Sequence, residues 1–265
     1  MRVAVVGVTG RIGSLVQQAL ERREHTVVPI SRSHGIDART GTGLASALEG
    51  VDALVDVTNS TATDSAETVD FFSGTTRQLL AAGTAAGVKH HVVLSIAGLW
   101  KVRGNAHYEG KRAQETAVIE GDIPFTIVPA TQFHDFAEMV ASWTEVDGTA
   151  YLPPLLIQPV APYDVAEVLA TVATSAPQGR HPDVAGPDPH DLVDMARRTH
   201  AVRGRSVALV PTWHTGIFDA EMAGDALLPS SDAVITPTSF DAWLAEQAAT
   251  GGPAGRAADA VDEIR

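Results

Sequence analysis

Between Val3 and Leu20 the chain reads VAVVGVTGRIGSLVQQAL, and this stretch decides how the rest is read. Val3 to Val6 is a continuous apolar, mostly β-branched run, as expected of a strand buried on both faces. Gly7, Gly10 and Gly13 then punctuate a turn. From Ile12 the residues Ile12, Leu15, Val16, Ala19 and Leu20 recur at helical spacing. Each glycine has its own task in such a turn. The first lets the chain leave the strand sharply, the second clears room for a pyrophosphate at the backbone, and the third lets the helix lie close to the sheet. The helix start then turns its N–H groups and positive dipole end toward phosphates. Strand before and helix after is the context this spacing requires, so it predicts a dinucleotide cradle.

Working outward, His25 to Ile30 reads as a second strand and Asp37-Ala38 as a very short third. Leu44 to Leu48 is helical, Asp52 to Val57 a fourth strand, and Asp70 to Ala86 a helix with Phe71, Phe72, Leu79 and Leu80 inward. His91 to Ser95 is a fifth strand, Tyr108 to Glu120 a helix, and Phe125 to Val128 a sixth strand. This alternation, sustained for about 130 residues, predicts parallel strands joined by right-handed helical crossovers. The fold class is therefore α/β, a doubly wound parallel Rossmann sheet, with ligands beyond the carboxyl ends of the strands. After Phe133 the rhythm breaks, with prolines at Pro153, Pro154, Pro159 and Pro162. Helices are expected from Asp164, over Asp191 to Thr199 and over Phe240 to Gln247, with a strand-like piece at Pro182 to Gly186. The organisation expected is a core over 1–133, a smaller irregular α+β cap over 134–249 that covers the substrate and partly returns to the core, and a flexible tail over 250–265.

The bulk numbers narrow the function. The chain has 265 residues, 45% hydrophobic and 19% charged, enough for one well-buried domain with an appendage. A net charge of −13 sets the surface against nucleic acid and anionic lipid, so neither is expected as a partner. There is no cysteine, hence no thiolate metal site and no thiol nucleophile. No run approaches a membrane span, and Met1-Arg2-Val3 enters a strand directly, so the expectation is a cytoplasmic protein, monomer or homodimer, acting on a small molecule.

The end of the second strand reports on the nucleotide's ribose. An acid there would accept a bond from a 2′-hydroxyl and repel a 2′-phosphate. Here the residues are Ser31-Arg32-Ser33, a cationic fork between two hydroxyls, with Arg11 in the glycine turn as a second cation. NADP(H) is favoured over NAD(H).

Taken in order, GVTGRIG, SRS, VDALVDVTN, VVLSIAG, the lysine of HYEGKRAQE and FTIVPATQFHDF resemble the NmrA-like atypical short-chain dehydrogenases. The resemblance is good over 1–136 and looser through APYDVAEVLATVA, DVAGPDPHDLVDMARR and FDAWLAEQ. It implies that Gly7, Thr9, Gly10, Arg11, Ile12 and Gly13 line the pyrophosphate and that Arg32 meets the 2′-phosphate. It also implies Asp37 and Ala38 beside the adenine, and Thr58 and Asn59 beside the ribose. Ser95, Ile96 and Ala97 would reach toward the nicotinamide, Lys111 would bond its ribose, and Pro129, Ala130, Thr131 and Phe133 would flank the ring.

Typical members of the wider family carry a tyrosine four residues before the lysine and a serine about a dozen before the tyrosine, which exchanges a proton with the substrate. In this chain His107 holds the tyrosine's place relative to Lys111 and Ser95, and Tyr108 lies one residue later. Three readings compete: His107 as proton donor, Tyr108 turning in from its i, i+3 position, or neither, with cofactor bound and not turned over. The candidate catalytic set is Ser95, His107, Tyr108 and Lys111. No metal site is expected from the histidines, since the adjacent His90 and His91 point to opposite faces of a strand. No Gly-x-Ser-x-Gly elbow suggests a hydrolase. Trp100, Trp143 and Trp213 lie in or near the variable segments, where lining an apolar pocket is one reading and core packing the default expectation. The function implied is hydride transfer between NADP(H) and a small carbonyl, quinone or enone. The alternatives are an NADP(H)-sensing regulatory protein without catalysis and, more weakly, a sugar-nucleotide epimerase-like isomerase.

Overall fold

A computed structural model describes residues 1–214, 218 and 220–249. The tail expected over 250–265 lies outside the described residues. In chain order the elements are β1 (Arg2–Val6), α1 (Arg11–Arg22), β2 (Thr26–Ile30), α2 (Leu44–Ala47), β3 (Ala53–Asp56), α3 (Ser65–Ala86), β4 (His90–Ile96), α4 (Ala106–Ile119) and β5 (Phe125–Ala130). They continue as α5 (Phe136–Thr144), β6 (Glu145–Val146), β7 (Thr149–Leu152), β8 (Leu156–Ile157), α6 (Pro162–Ala173), β9 (Gly179–Arg180) and β10 (Val184–Ala185). The last are β11 (His190–Asp191), α7 (Leu192–Val202), β12 (Ala208–Pro211), β13 (Val234–Ile235) and α8 (Phe240–Ala249).

The chain forms two compact units. The first comprises Met1–Ala130, Pro162–Val184 and Ser230–Val234. Its sheet runs β13-β10-β5-β4-β3-β1-β2, with β9 also beside β5. β1 pairs in parallel with both β2 and β3, and β3, β4 and β5 continue in parallel. The helices α3 and α4 pack together on one face, and α1 and α6 on the other. This is a doubly wound α/β sheet. Val3, Ala4, Val5 and Val6 are at most 1% exposed, which is why that run carries no polar alternation.

Asp37-Ala38 does not form the third strand expected. Asp37 makes only an isolated bridge to Thr42, and its carboxylate accepts from the Arg39 N–H at 2.8 Å. The side chain closes a local turn flanked by Gly35 and Gly41, both at positive φ, and the backbone is not free to extend. β2 is therefore the edge of the sheet, where Pro29 lacks no needed donor. α3 starts at Ser65, earlier than the apolar period indicates. Asp64 caps it by accepting from the Glu67 N–H at 3.0 Å, and its first turn is largely polar.

The second unit comprises Thr131–Ala161 and the described residues of 185–229 and 235–249. A three-stranded sheet, β12-β7-β6, and a two-stranded one, β11-β8, pack with α5, α7 and α8. His134, Phe240 and Trp243 form an aromatic cluster, with Phe240 and Trp243 stacked at 5.8 Å. Among the described residues no helix is long and apolar enough to cross a membrane.

Candidate active site

The glycine turn sits where the chain reverses its direction of travel across the sheet, β2 on one side of β1 and β3 on the other. Gly7 has φ +83°, a conformation that disfavours any side chain, and a Cβ there would lie 3.2 Å from the Val57 carbonyl oxygen. At Gly13 a Cβ would lie 2.1 Å from the Gly7 oxygen, so α1 can approach the turn only without a side chain. Gly10 is the N-cap of α1 and supplies no side-chain cap, and the first turn holds no acid. Thr9, Gly10 and Arg11 are exposed there. The positive end of a helix with no anionic side chain of its own is what a pyrophosphate requires.

At the end of β2, Ser31 Oγ lies 2.9 Å from Ser33 Oγ and 2.7 Å from His34 Nδ1. Arg32 stands exposed beside them, and among the described residues its guanidinium has no ion pair. Asp37 is engaged in its turn, and Ala38 packs against the apolar cluster of Val28, Ile30 and Leu44.

The ends of β3 and β4 meet the start of α4. Asn105 caps α4 by accepting from the Tyr108 N–H at 3.2 Å. One residue before Lys111, a Cβ on Gly110 would lie 2.4 Å from Thr68 Cγ2 and 2.6 Å from Phe72 Cδ2, so α4 presses directly onto α3. That contact sets Lys111 Nζ 4.6 Å from the centre of the Phe72 ring and the His107 ring edge-on to it at 5.6 Å. Lys111 is 5% exposed and donates to Leu94 O at 3.0 Å, Gln114 Oε1 at 2.9 Å and Thr58 O at 3.5 Å. Gln114 in turn donates to Asp56 Oδ2, and the other oxygen of Asp56 accepts from the N–H and the hydroxyl of Thr58. Burial lowers the Lys111 ammonium to about 8, against the opposing pull of Asp56 and Glu115. Burial, then the Lys111 charge, lowers His107 to about 4, so its imidazole is neutral at physiological pH.

Ser95 is tied to the same helix. Its hydroxyl donates to Glu115 Oε1 at 2.5 Å, and the second oxygen of Glu115 accepts from the Trp100 indole at 2.8 Å and from Arg180 at 3.0 Å. Glu115 is 1% exposed, so a buried carboxylate with three donors joins β4, the loop after it and β9.

Several solved structures share this architecture. An NADP(H) complex of triphenylmethane reductase from Citrobacter sp. superposes with a TM-score of 0.62 at 20% identity, over 80% of this chain and 79% of that one. An NADPH complex of a quinone oxidoreductase from Escherichia coli gives 0.66 at 16% identity, over 92% and 99% of the two chains. A dTDP-4-dehydrorhamnose reductase from Clostridium acetobutylicum gives 0.73 at 14% identity, over 92% and 98%. The chain has the Rossmann fold of these reductases. No protein-family model and no curated protein sequence matches it.

Within this fold the glycine turn, Arg32, Thr58, Asn59, Ser95, His107, Tyr108, Lys111 and Pro129 all belong to the first unit, whereas Phe133 belongs to the second, where it bridges to Val160. Asn59 is exposed, Pro129 is buried in β5 opposite Ser95, and Tyr108 is 7% exposed. Sequence reasoning missed Glu115, Gln114 and Asp56 as partners of the set. Their signal was present: Gln114 and Glu115 lie three and four residues after Lys111, so all three face the same side of α4. His34 was missed because the reading of the β2 end stopped at Ser33. Trp100 and Trp143 do not pack in a core: they are 52% and 48% exposed, and the Trp100 indole N–H reaches inward to the buried Glu115. Among the described residues no three His, Asp or Glu side chains gather as a metal set.

Proposed function

We propose that this chain binds NADP(H) at the glycine turn and passes hydride between the nicotinamide and a small acceptor held beside the ends of β4 and β5. The observation that carries the reading is the uncapped, acid-free start of α1 against a Gly13 that admits no Cβ, with Arg32, exposed and without an ion pair among the described residues, at the end of β2. The turn and helix end hold the pyrophosphate, and Arg32 with Ser31 and Ser33 takes the 2′-phosphate. Lys111 has its longest-held donor, the one 3.5 Å from Thr58 O, to offer the nicotinamide ribose. The bound reduced cofactor supplies the hydride.

The protein's own groups favour one kind of acceptor. The single Ser95 proton is directed to Glu115, and His107 is neutral at physiological pH, so neither supports a developing alkoxide as a strong acid would. Acceptors that delocalise the incoming electron pair themselves, quinones and enones, suit such a site better than simple aldehydes. In quinone reduction the hydride brings two electrons and one proton, and water supplies the second proton of the hydroquinone. The decisive assay follows reduced-nicotinamide absorbance with a panel of quinones, enones and aldehydes. Turnover on quinones that survives both His107→Phe and Tyr108→Phe is expected. Turnover restricted to aldehydes and abolished by one of these changes overturns the choice of acceptor.

A second reading, cofactor sensing without turnover, is favoured by the same internal engagement of Ser95 and Lys111. It predicts tight NADPH binding and no oxidation by any member of the panel.

A further inference from the structure

The loop that leaves β4, Ala97 to Gly104, is built in a way the reading above does not use. Leu99 and Val102 are 0% and 1% exposed and peg it to the first unit. Arg112 of α4 pins it again, donating to Leu99 O at 2.9 Å and to Val102 O at 2.7 Å. Between these fixed points Trp100, Lys101 and Arg103 are exposed.

A single exposed apolar residue is ordinary, but Trp100 is exposed and fixed at once. It keeps 52% of its surface open while its indole N–H, its one polar group, donates to the buried Glu115 at 2.8 Å. A ring held by its polar edge has little freedom left to lose when a second ring stacks on it. The same Glu115 oxygen accepts from Arg180 at 3.0 Å, which sets that guanidinium beside the indole with its other nitrogens still able to donate. Lys101 and Arg103 make no ion pair among the described residues. Glu109 lies on the same helix as Arg112 and acts on its charge, as Arg103 does with the opposite sign. Lys101, Arg103, Arg112 and Arg180 against Glu109 and Glu115 leave a positive balance here, in a chain of net charge −13.

We propose that this loop binds small aromatic anions, with the ring on Trp100 and a carboxylate or sulfonate met by Lys101, Arg103 and Arg180, and that the hydride acceptor belongs to this class. The second half rests on the reductase reading; the first does not. The loop leaves the carboxyl end of a central strand, the edge at which a doubly wound sheet takes its ligands. A polyanion such as nucleic acid would also meet the acidic remainder of the surface, so a small anion is the occupant that fits. The platform binds and orients the acceptor, and hydride from the bound cofactor with a proton from water reduces it.

The test reads the Trp100 indole N–H resonance of the full chain, assigned with Trp100→Phe, so binding at the glycine turn does not register. The probes are naphthalenesulfonate, its neutral counterpart naphthalenemethanol, and methanesulfonate, at constant ionic strength. A saturable shift is expected with naphthalenesulfonate, with affinity at least about tenfold above that for either other probe. Changing both exposed cations, Lys101→Gln with Arg103→Gln, should weaken it by about tenfold, and Arg32→Ala should leave it unchanged. Turnover is then followed anaerobically with NADPH and either anthraquinonesulfonate or the uncharged menadione. The double change should raise KM for the sulfonate by about tenfold and spare menadione. No shift with naphthalenesulfonate, or equal affinity for naphthalenemethanol, overturns the site. A resonance that moves with protein concentration instead assigns the face to a second copy and likewise overturns it. Equal KM changes for the two quinones overturn the acceptor class. Saturable binding at Trp100 with neither quinone reduced supports the site and overturns the reductase reading.

Discussion

At the scale of single residues, charge and burial make separable predictions. Arg32 is an exposed guanidinium with no carboxylate to pair with among the described residues, so it has no structural partner to lose. Arg32→Ala should therefore leave the melting temperature unchanged and weaken NADPH by about ten- to hundredfold while sparing NADH, measured by calorimetry. Equal affinities for both cofactors before and after the change would remove the case for a 2′-phosphate. His107 carries the opposite lesson, since its environment alters its chemistry. A histidine near neutrality is a plausible acid when only its identity is known. Packed on Phe72 beside Lys111 it titrates near 4. Its folded pKa lies below the unfolded value, so the folded form binds fewer protons between the two, and its stability contribution is complete above about pH 6.5 and is lost as pH falls toward 4. Denaturation at a series of pH values should show a slope over this window that His107→Phe reduces, by at most about 3 kcal/mol in total.

At the scale of elements, the packing of α3 on α4 positions the site. Gly110 is where the helices touch, and a methyl there would meet Thr68 and Phe72 well inside contact distance. Gly110→Ala should cost about 2 kcal/mol in chemical denaturation by overpacking. It should also weaken NADPH, because Lys111 and Phe72 would separate. Glu115 performs the equivalent task for β4 and the loop that follows. Glu115→Ala removes the acceptor of Ser95, Trp100 and Arg180 together. Arg180, 43% exposed, can turn to water, so the expected loss is moderate, about 1–3 kcal/mol. The Trp100 contribution to fluorescence, isolated by difference from Trp100→Phe, should shift to the red as the indole loses its fixed partner. An unchanged Trp100 spectrum would show that Glu115 does not hold the loop.

At the scale of the whole molecule, the divide between local and distant information is visible element by element. The sequence by itself determined the α/β class, the glycine turn and most strands of the first sheet. These rest on backbone conformations and apolar periods that a short stretch specifies alone: a glycine at φ +83°, a run such as Val3 to Val6 with no polar face, and a helix repeat beginning in the turn. It misread Asp37-Ala38, where a side chain closing its own turn prevails over strand propensity, and it did not anticipate α5 or the small sheet of the second unit. That sheet pairs Thr149–Leu152 with Ala208–Pro211, partners some sixty residues apart that carry no local pattern. The tertiary structure alone decided which side chains of the candidate site are available. Whether Ser95 offers its proton outward or to Glu115, whether Lys111 rests on Phe72, and whether His107 is charged depend on groups brought from other elements, because desolvation and hydrogen bonding are set by three-dimensional neighbours rather than by chain neighbours.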